Sequence, residues 1–407
     1  MFAAYATFSG PARQFLAVSL LLGIGWAVFN LVFNLYMSAL GFSNAVIGLF
    51  NSLPAVALLF VGLPLAALAD RIGYRVFLIA GAVIAVAASV LLTTAGMRLI
   101  AVLAAGTYAL AIIVIQVLGS PLLAQISSEG ERLALFAVSA SLSWVATLVG
   151  SLLGGFVPEL AGRLGHNSSA SAGAIRAAFG ATVLLTVLSL PFLLRLVRSA
   201  SLRPVAVFPI RQLLHVDVGR FVRLLFPSLL LGIGAGMYLN FIQLYLSQRF
   251  GLTPGPIGLI LGIGSGLTAV ITLAAPGISR LLGLSRSIGI LQVLGSPLVL
   301  ALAFLMNLPL AVAIMYVRQV ALNVQGPLGQ VFAMEYVDPQ QRARLTTAII
   351  VVNGIGNGGI GPLTSGFLQV IGGYQLAFSV SAAFYLLAGL TFLVLFGGIR
   401  LPSERQS

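Results

Sequence analysis

The chain has 407 residues, 59% of them hydrophobic and 7% charged, with a mean hydropathy of +1.11 and a formal net charge of +13. No soluble domain of that length could hide so much apolar side chain, so the solvent of the folded chain is lipid and a string of soluble domains is excluded. The charge does not point to nucleic acid, because every basic residue is arginine and the arginines fall in short loops rather than in a patch or tail. Cysteine is absent, which removes disulfides, thiolate metal sites and cysteine catalysis.

Residues 1–10 carry no charge and no cleavage-site pattern, so the first apolar span is expected to serve as its own insertion signal. A run of about 20 apolar residues crosses the hydrocarbon core. Breaks at Gly, Pro, Asn and charged clusters predict twelve α-helical spans, six of them at 15–38, 44–69, 75–95, 99–127, 131–158 and 174–198. The other six are expected at 222–247, 254–281, 285–306, 309–336, 342–370 and 374–398. Two six-helix halves, 1–198 and 222–407, flank a polar linker at 199–221 that carries Pro204, Pro209, His215 and Asp217.

The halves share a degraded repeat. Leu22-Gly23-Ile24-Gly25, Tyr36, Gly41, Ile47-Gly48-Leu49 and Gly73 return as Leu231-Gly232-Ile233-Gly234, Tyr245, Gly251, Ile257-Gly258-Leu259 and Gly283. The offset is 209 residues up to the tyrosines and 210 from the glycines onward. Paired membrane halves of this kind mark transporters that hold substrate between their repeats. With both termini placed in the cytoplasm, sixteen arginines fall inside and only Arg98, Arg163, Arg176 and Arg249 outside, which sets the orientation by the positive-inside rule.

Within the loop after the second span, Leu68-Ala69-Asp70-Arg71-Ile72-Gly73-Tyr74-Arg75 breaks a long apolar stretch. Over essentially its full length the chain resembles the major facilitator superfamily, and among its members the prokaryotic twelve-helix efflux type. The family carries Gly-x-Leu-Ala-Asp-Arg-x-Gly-Arg-Lys in this loop. Leu68, Ala69, Asp70, Arg71 and Gly73 match it, Arg75 holds the final basic position, Ala66 replaces the leading glycine and Tyr74 a basic residue. The resemblance implies that Asp70, Arg71, Gly73 and Arg75, with Glu129 and Glu131, latch the cytoplasmic side. Glu335, Asp338, Arg342 and Arg344 would form the pseudo-symmetric set. The alternative is that these charges anchor helix ends at the interface. Two exporter marks of the family are incomplete. Gly150-Ser151-Leu152-Leu153-Gly154-Gly155 keeps the glycines of a fifth-span motif without its proline, and the fourth span has Gln116 and Gly119 but no interior arginine.

Polar residues inside spans are the candidate ligands, since amides facing lipid are costly. The first span carries Trp26, Asn30 and Asn34, and the seventh carries Asn240 and Gln243, the last being the repeat equivalent of Asn34. The tenth carries Tyr316, Arg318, Asn323 and Gln325 opposite an apolar face of Val317, Val320, Val324, Leu328 and Val331. Starting the helix near Pro309 puts Arg318 about 13 Å deep at 1.5 Å per residue. The resemblance implies that these spans line a central cavity; interhelical hydrogen bonding is the competing explanation.

No carboxylate or histidine is expected at mid-depth, so Arg318 reads either as a ligand for an anionic substrate or as a structural cation, and a coupling ion stays open. A membrane enzyme lacks convergent catalytic groups, and an ion channel lacks a charged ring. No cofactor or metal is expected. The reading is a monomeric secondary transporter in the prokaryotic cytoplasmic membrane, in contact with lipid, that exports a small organic molecule. The alternatives are an organic-anion importer or exchanger using Arg318, or a lipid flippase on the same fold.

Overall fold

The computed structural model describes residues 8–57, 68, 73–95, 97–127, 131–199, 218–271, 283–337 and 341–399. Its helices are α1 (Gly10–Ala39), α2 (Asn44–Ala57), α3 (Tyr74–Thr94), α4 (Arg98–Ile126), α5 (Arg132–Leu164) and α6 (Ala172–Ser199). They continue with α7 (Val218–Leu239), α8 (Ile242–Phe250), α9 (Pro254–Ile271), α10 (Leu284–Phe304) and α11 (Leu308–Tyr336). Last come α12 (Arg342–Gly354), a π-helical turn (Ile355–Ile360) and α13 (Gly361–Phe396).

Among the described residues ten helical stretches are long and apolar enough to cross a membrane, and no strand occurs. The two expected spans missing from that tally are accounted for locally. Only Asn44–Ala57 of the second is described. The eleventh and twelfth run together as one 49-residue stretch, Ala348–Phe396, broken at Gly372 and Gly373, where Gly373 takes φ +63°. Of the linker expected at 199–221, Ser199 ends α6 and residues 218–221 begin α7, while 200–217 lie outside the described residues, as do Asp70, Arg71, Glu129 and Asp338.

Large apolar side chains point outward along these helices: Val83, Leu103, Leu184, Val270 and Val394 are all exposed, as a lipid-facing surface requires. Because lipid is as apolar as leucine, burial does not drive the helices together; close packing does. Glycine is the device. Gly73 and Gly283, the repeat pair that starts α3 and α10, both hold positive φ, +100° and +79°, where a Cβ is strained.

The chain forms two compact units that cross the expected half boundary: Met1–Gly41, Ala57–Phe208 and Leu246–Gly266 in the first, Phe42–Val56, Pro209–Tyr245 and Leu267–Ser407 in the second. In the first, α1 packs on α4, α5 and α6, and α3 on α4 and α6. In the second, α7 packs on α12, the π turn and α13, while α10 packs on α11 and α13. The exchanged segments are seated by glycine seams. In the first unit a Cβ on Gly258 of α9 would lie 2.3 Å from the Ser151 carbonyl oxygen of α5 and 2.8 Å from Gly155 Cα. In the second, a Cβ on Gly366 of α13 would lie 2.4 Å from the Asn44 carbonyl oxygen and 3.0 Å from Gly48 Cα of α2. Gly48 and Gly258 are 210 residues apart, Gly155 and Gly366 are 211, so each seam is the other's repeat copy.

Candidate substrate cavity

In the first unit α1, α4 and α5, with single turns of α3 and α6, line a half-open cavity of about 530 Å³. That is the size of a small-molecule site. Its polar lining comes from Ser19 and Trp26 of α1, Gln116 of α4, and Ser139, Ser143 and Thr147 of α5. The α5 residues recur every four positions and so share one helix face. Ser143 Oγ donates to the Ser139 carbonyl at 3.0 Å and Thr147 Oγ1 to the Ser143 carbonyl at 2.9 Å, back-bonds that leave the hydroxyl lone pairs for the cavity. Trp26 stacks on Phe29 at 5.7 Å between centroids, which fixes the indole plane. Phe15, Leu122, Leu123, Phe136, Leu193 and Leu196 close the end made by the start of α1, the end of α4 and the start of α5.

Of the residues singled out from sequence, Trp26 lines this cavity. Asn30, exposed, donates its amide to the Trp26 carbonyl at 2.9 Å. Asn34 and Gln243 are buried in their respective units. Asn240 donates to the Gly236 and Asn357 carbonyls, both at 3.0 Å, and thereby ties α7 to the π turn. Asn323 donates to the Gln319 carbonyl at 2.7 Å, and Tyr316 and Gln325 are half-buried. Ser19, Ser139, Ser143 and Thr147 were not singled out from sequence; the i, i+4, i+8 spacing of hydroxyls on the fifth span was the available signal.

Arg318 is 3% exposed and lies on the core face of α11 with Ala311 and Met315 rather than beside Tyr316 and Asn323. Its guanidinium sits 4.4 Å from the Tyr238 ring centroid and 5.3 Å from that of Tyr385, and Nη2 donates to the Tyr385 hydroxyl. Among the described residues no carboxylate pairs with it, and Nε has no partner. The cage is aromatic, a signal that a search for acidic partners passes over.

The described latch residues are spread over helix starts and ends. Gly73 caps α3, Arg75 and Arg342 are exposed, Glu335 is half-buried near the end of α11, and the Glu131 carboxylate accepts the Ser9 amide at 3.3 Å. On a different face of the first unit, Glu159 Oε1 accepts the Gly255 amide at 3.1 Å, with Thr253, Ser169 and Arg163 around the carboxylate. No group of three or more metal-ligating side chains occurs among the described residues.

A family model described as the Major Facilitator Superfamily matches residues 15–358. The chain belongs to the major facilitator superfamily. It is an integral membrane transporter and not an enzyme. Among solved structures, a bacterial homologue of the human lysosomal transporter Spinster, inward-facing and occupied, is similar at TM-score 0.76 and 14% identity, over 95% of this chain and 96% of that one. A variant of the nucleoside transporter NupG is similar at 0.74 and 17%, over 95% and 100%. The human organic anion transporter MFSD10 is similar at 0.63 and 16%, over 94% and 99%. At these identities the likeness shows the superfamily fold alone. Among curated proteins none matches the chain.

Proposed function

We propose that this superfamily member exports a small organic molecule across the prokaryotic cytoplasmic membrane by alternating access, with both termini cytoplasmic. The observation that carries the reading is the cavity on α1, α4 and α5: half-open, largely apolar and set with a few polar groups. Alternating access needs contacts that close tightly and part cleanly. The paired glycine seams suit that role, because each brings backbones of the two sequence repeats together without interlocking side chains. The inward bias of the arginines supports the orientation.

The organic-anion reading draws support from the buried guanidinium that lacks a carboxylate among the described residues. Its enclosure between Tyr238 and Tyr385 favours a structural role instead. Small-molecule binding identifies the substrate without assuming direction, since a ligand of the native state raises its melting temperature in proportion to occupancy. A compound that stabilises the purified protein should then accumulate saturably in everted vesicles and not in right-side-out ones. Accumulation only in right-side-out vesicles overturns export in favour of import.

A further inference from the structure

The lining of the cavity has a chemistry of its own. None of the described side chains around it is charged, although the chain carries 29 charged residues, 21 basic and 8 acidic. Its polar groups are Ser19, Trp26, Gln116, Ser139, Ser143 and Thr147, set among apolar walls that include Phe15 and Phe136. The Ser143 and Thr147 hydroxyl hydrogens are committed to the carbonyls one turn back, so these groups meet a ligand as acceptors. The Gln116 amide and the Trp26 indole N–H, neither bonded to another described residue, supply donors.

Resting on the reading of this cavity as the transport site, we propose that the cargo is a small neutral amphipath. Its uncharged head bears hydroxyl or N–H donors that meet Ser143 and Thr147, and its apolar part lies between Phe15 and Phe136. An ionised head would leave water for a site with no opposite charge among its described side chains, and their hydroxyl, amide and indole groups do not return that loss. A purely polar head without a tail would leave the apolar walls facing water. An apolar molecule without a head would strand the Gln116 amide and Trp26 N–H.

The chain contains two tryptophans, so Trp144→Phe leaves Trp26 as the only indole and its emission reads occupancy of the cavity directly. The protein is placed in lipid nanodiscs, because common detergents are themselves neutral amphipaths. It is titrated with hexyl glucoside, with hexyl sulfate and hexylammonium as charged twins of equal tail, and with methyl glucoside as the head alone. The expected result is a saturable change with hexyl glucoside, with affinity at least tenfold weaker for both charged twins and for the head alone. Ser143→Ala combined with Thr147→Val is expected to weaken hexyl glucoside binding at least fivefold while the ligand-free melting temperature stays put. In the Trp26-only protein, Ala140→Leu, which fills the cavity from α5 without removing a polar group, is expected to abolish the response. Equal or tighter binding of a charged twin overturns the neutral head while leaving the cavity as the site. A response that survives Ala140→Leu, or no saturable response to any probe, overturns both the neutral amphipath and the cavity as transport site.

Discussion

Arg318 occupies in the second repeat the position that Tyr108 occupies in the first, 210 residues earlier, and each is buried against aromatic side chains of its own unit: Phe29 for Tyr108, Tyr238 and Tyr385 for Arg318. Tyr108 packs 5.0 Å from Phe29 and lies beside Thr186 of α6. Arg318 lies 4.4 Å from Tyr238, the repeat copy of Phe29, and bonds Tyr385 of α13. The surrounding rings repeat as well: Tyr36 meets Phe179 at 5.3 Å and Tyr245 meets Phe378 at 5.0 Å. A site that one half fills with a neutral tyrosine does not need a cation in order to fold. The guanidinium in the other half is held by two rings and one hydroxyl, and ring contacts of this kind contribute about 0.5–2 kcal/mol each.

Arg318→Met therefore keeps the packing volume and removes a desolvated charge, a change that is often neutral in buried sites. Expected is a stability within about 2 kcal/mol of wild type and ligand affinity within threefold, read by thermal melting and by Trp26 emission. Arg318→Ala, which also leaves a cavity, should cost about 2–5 kcal/mol. Loss of ligand binding by a well-folded Arg318→Met protein would restore the arginine as a substrate ligand.

How much of this was legible in the sequence follows from what lipid does and does not constrain. It demands apolar runs of span length, so the helices and their order were readable from hydropathy, and the repeat was readable because glycines at close contacts leave no substitute. Lipid does not distinguish an apolar residue facing the bilayer from one facing a neighbour. The tenth span's apolar row shows this: Val317 and Val331 are exposed while Val324 and Leu328 are buried in the core of the second unit. The depth of Arg318 was readable, but the rotation that turns it toward the face of Ala311 and Met315, away from Tyr316 and Asn323, was beyond pattern reading. Hydroxyls that back-bond to their own helix look the same in sequence whether they line a cavity or not, which hid Ser143 and Thr147.

The seams make a second prediction. Gly258→Ala and Gly366→Ala put a methyl within 2.4 Å of facing backbone oxygen, a contact that backbone movement alone relieves. Each should lower transport at least tenfold in proteoliposomes. Gly106 and Gly180 have nothing within 4 Å of an added Cβ. Their alanine variants should transport normally and gain about 0.5–1 kcal/mol, the helix propensity difference. Equal loss at all four positions would show that the seams carry no special weight.

The positive-φ starts of α3 and α10 give a third. Gly73→Ala and Gly283→Ala force a Cβ into backbone at φ +100° and +79°. With ψ at +142° and +154° this is extended positive-φ backbone that only glycine adopts readily, so each should cost about 1–3 kcal/mol. Thermal melting of the two variants checks it, and a loss confined to one of them would break the equivalence of the two helix starts.

Glu159 supplies the last. Its carboxylate accepts the Gly255 amide at the first turn of α9, where a helix N-terminus favours negative charge. A Cβ built on Gly255 lies 2.7 Å from Glu159 Cγ, the place a cysteine sulfur would occupy, which puts the pair within disulfide range. The chain has no native cysteine to compete. In the double variant Glu159→Cys/Gly255→Cys, oxidation should close this seam covalently, halt transport and be reversed by reductant. Ligand binding at Trp26 should survive, since the bond ties α5 to α9 and leaves the cavity lining untouched. Undiminished transport by the fully oxidised protein would mean that the seam never parts during the cycle, and alternating access would need its hinge elsewhere.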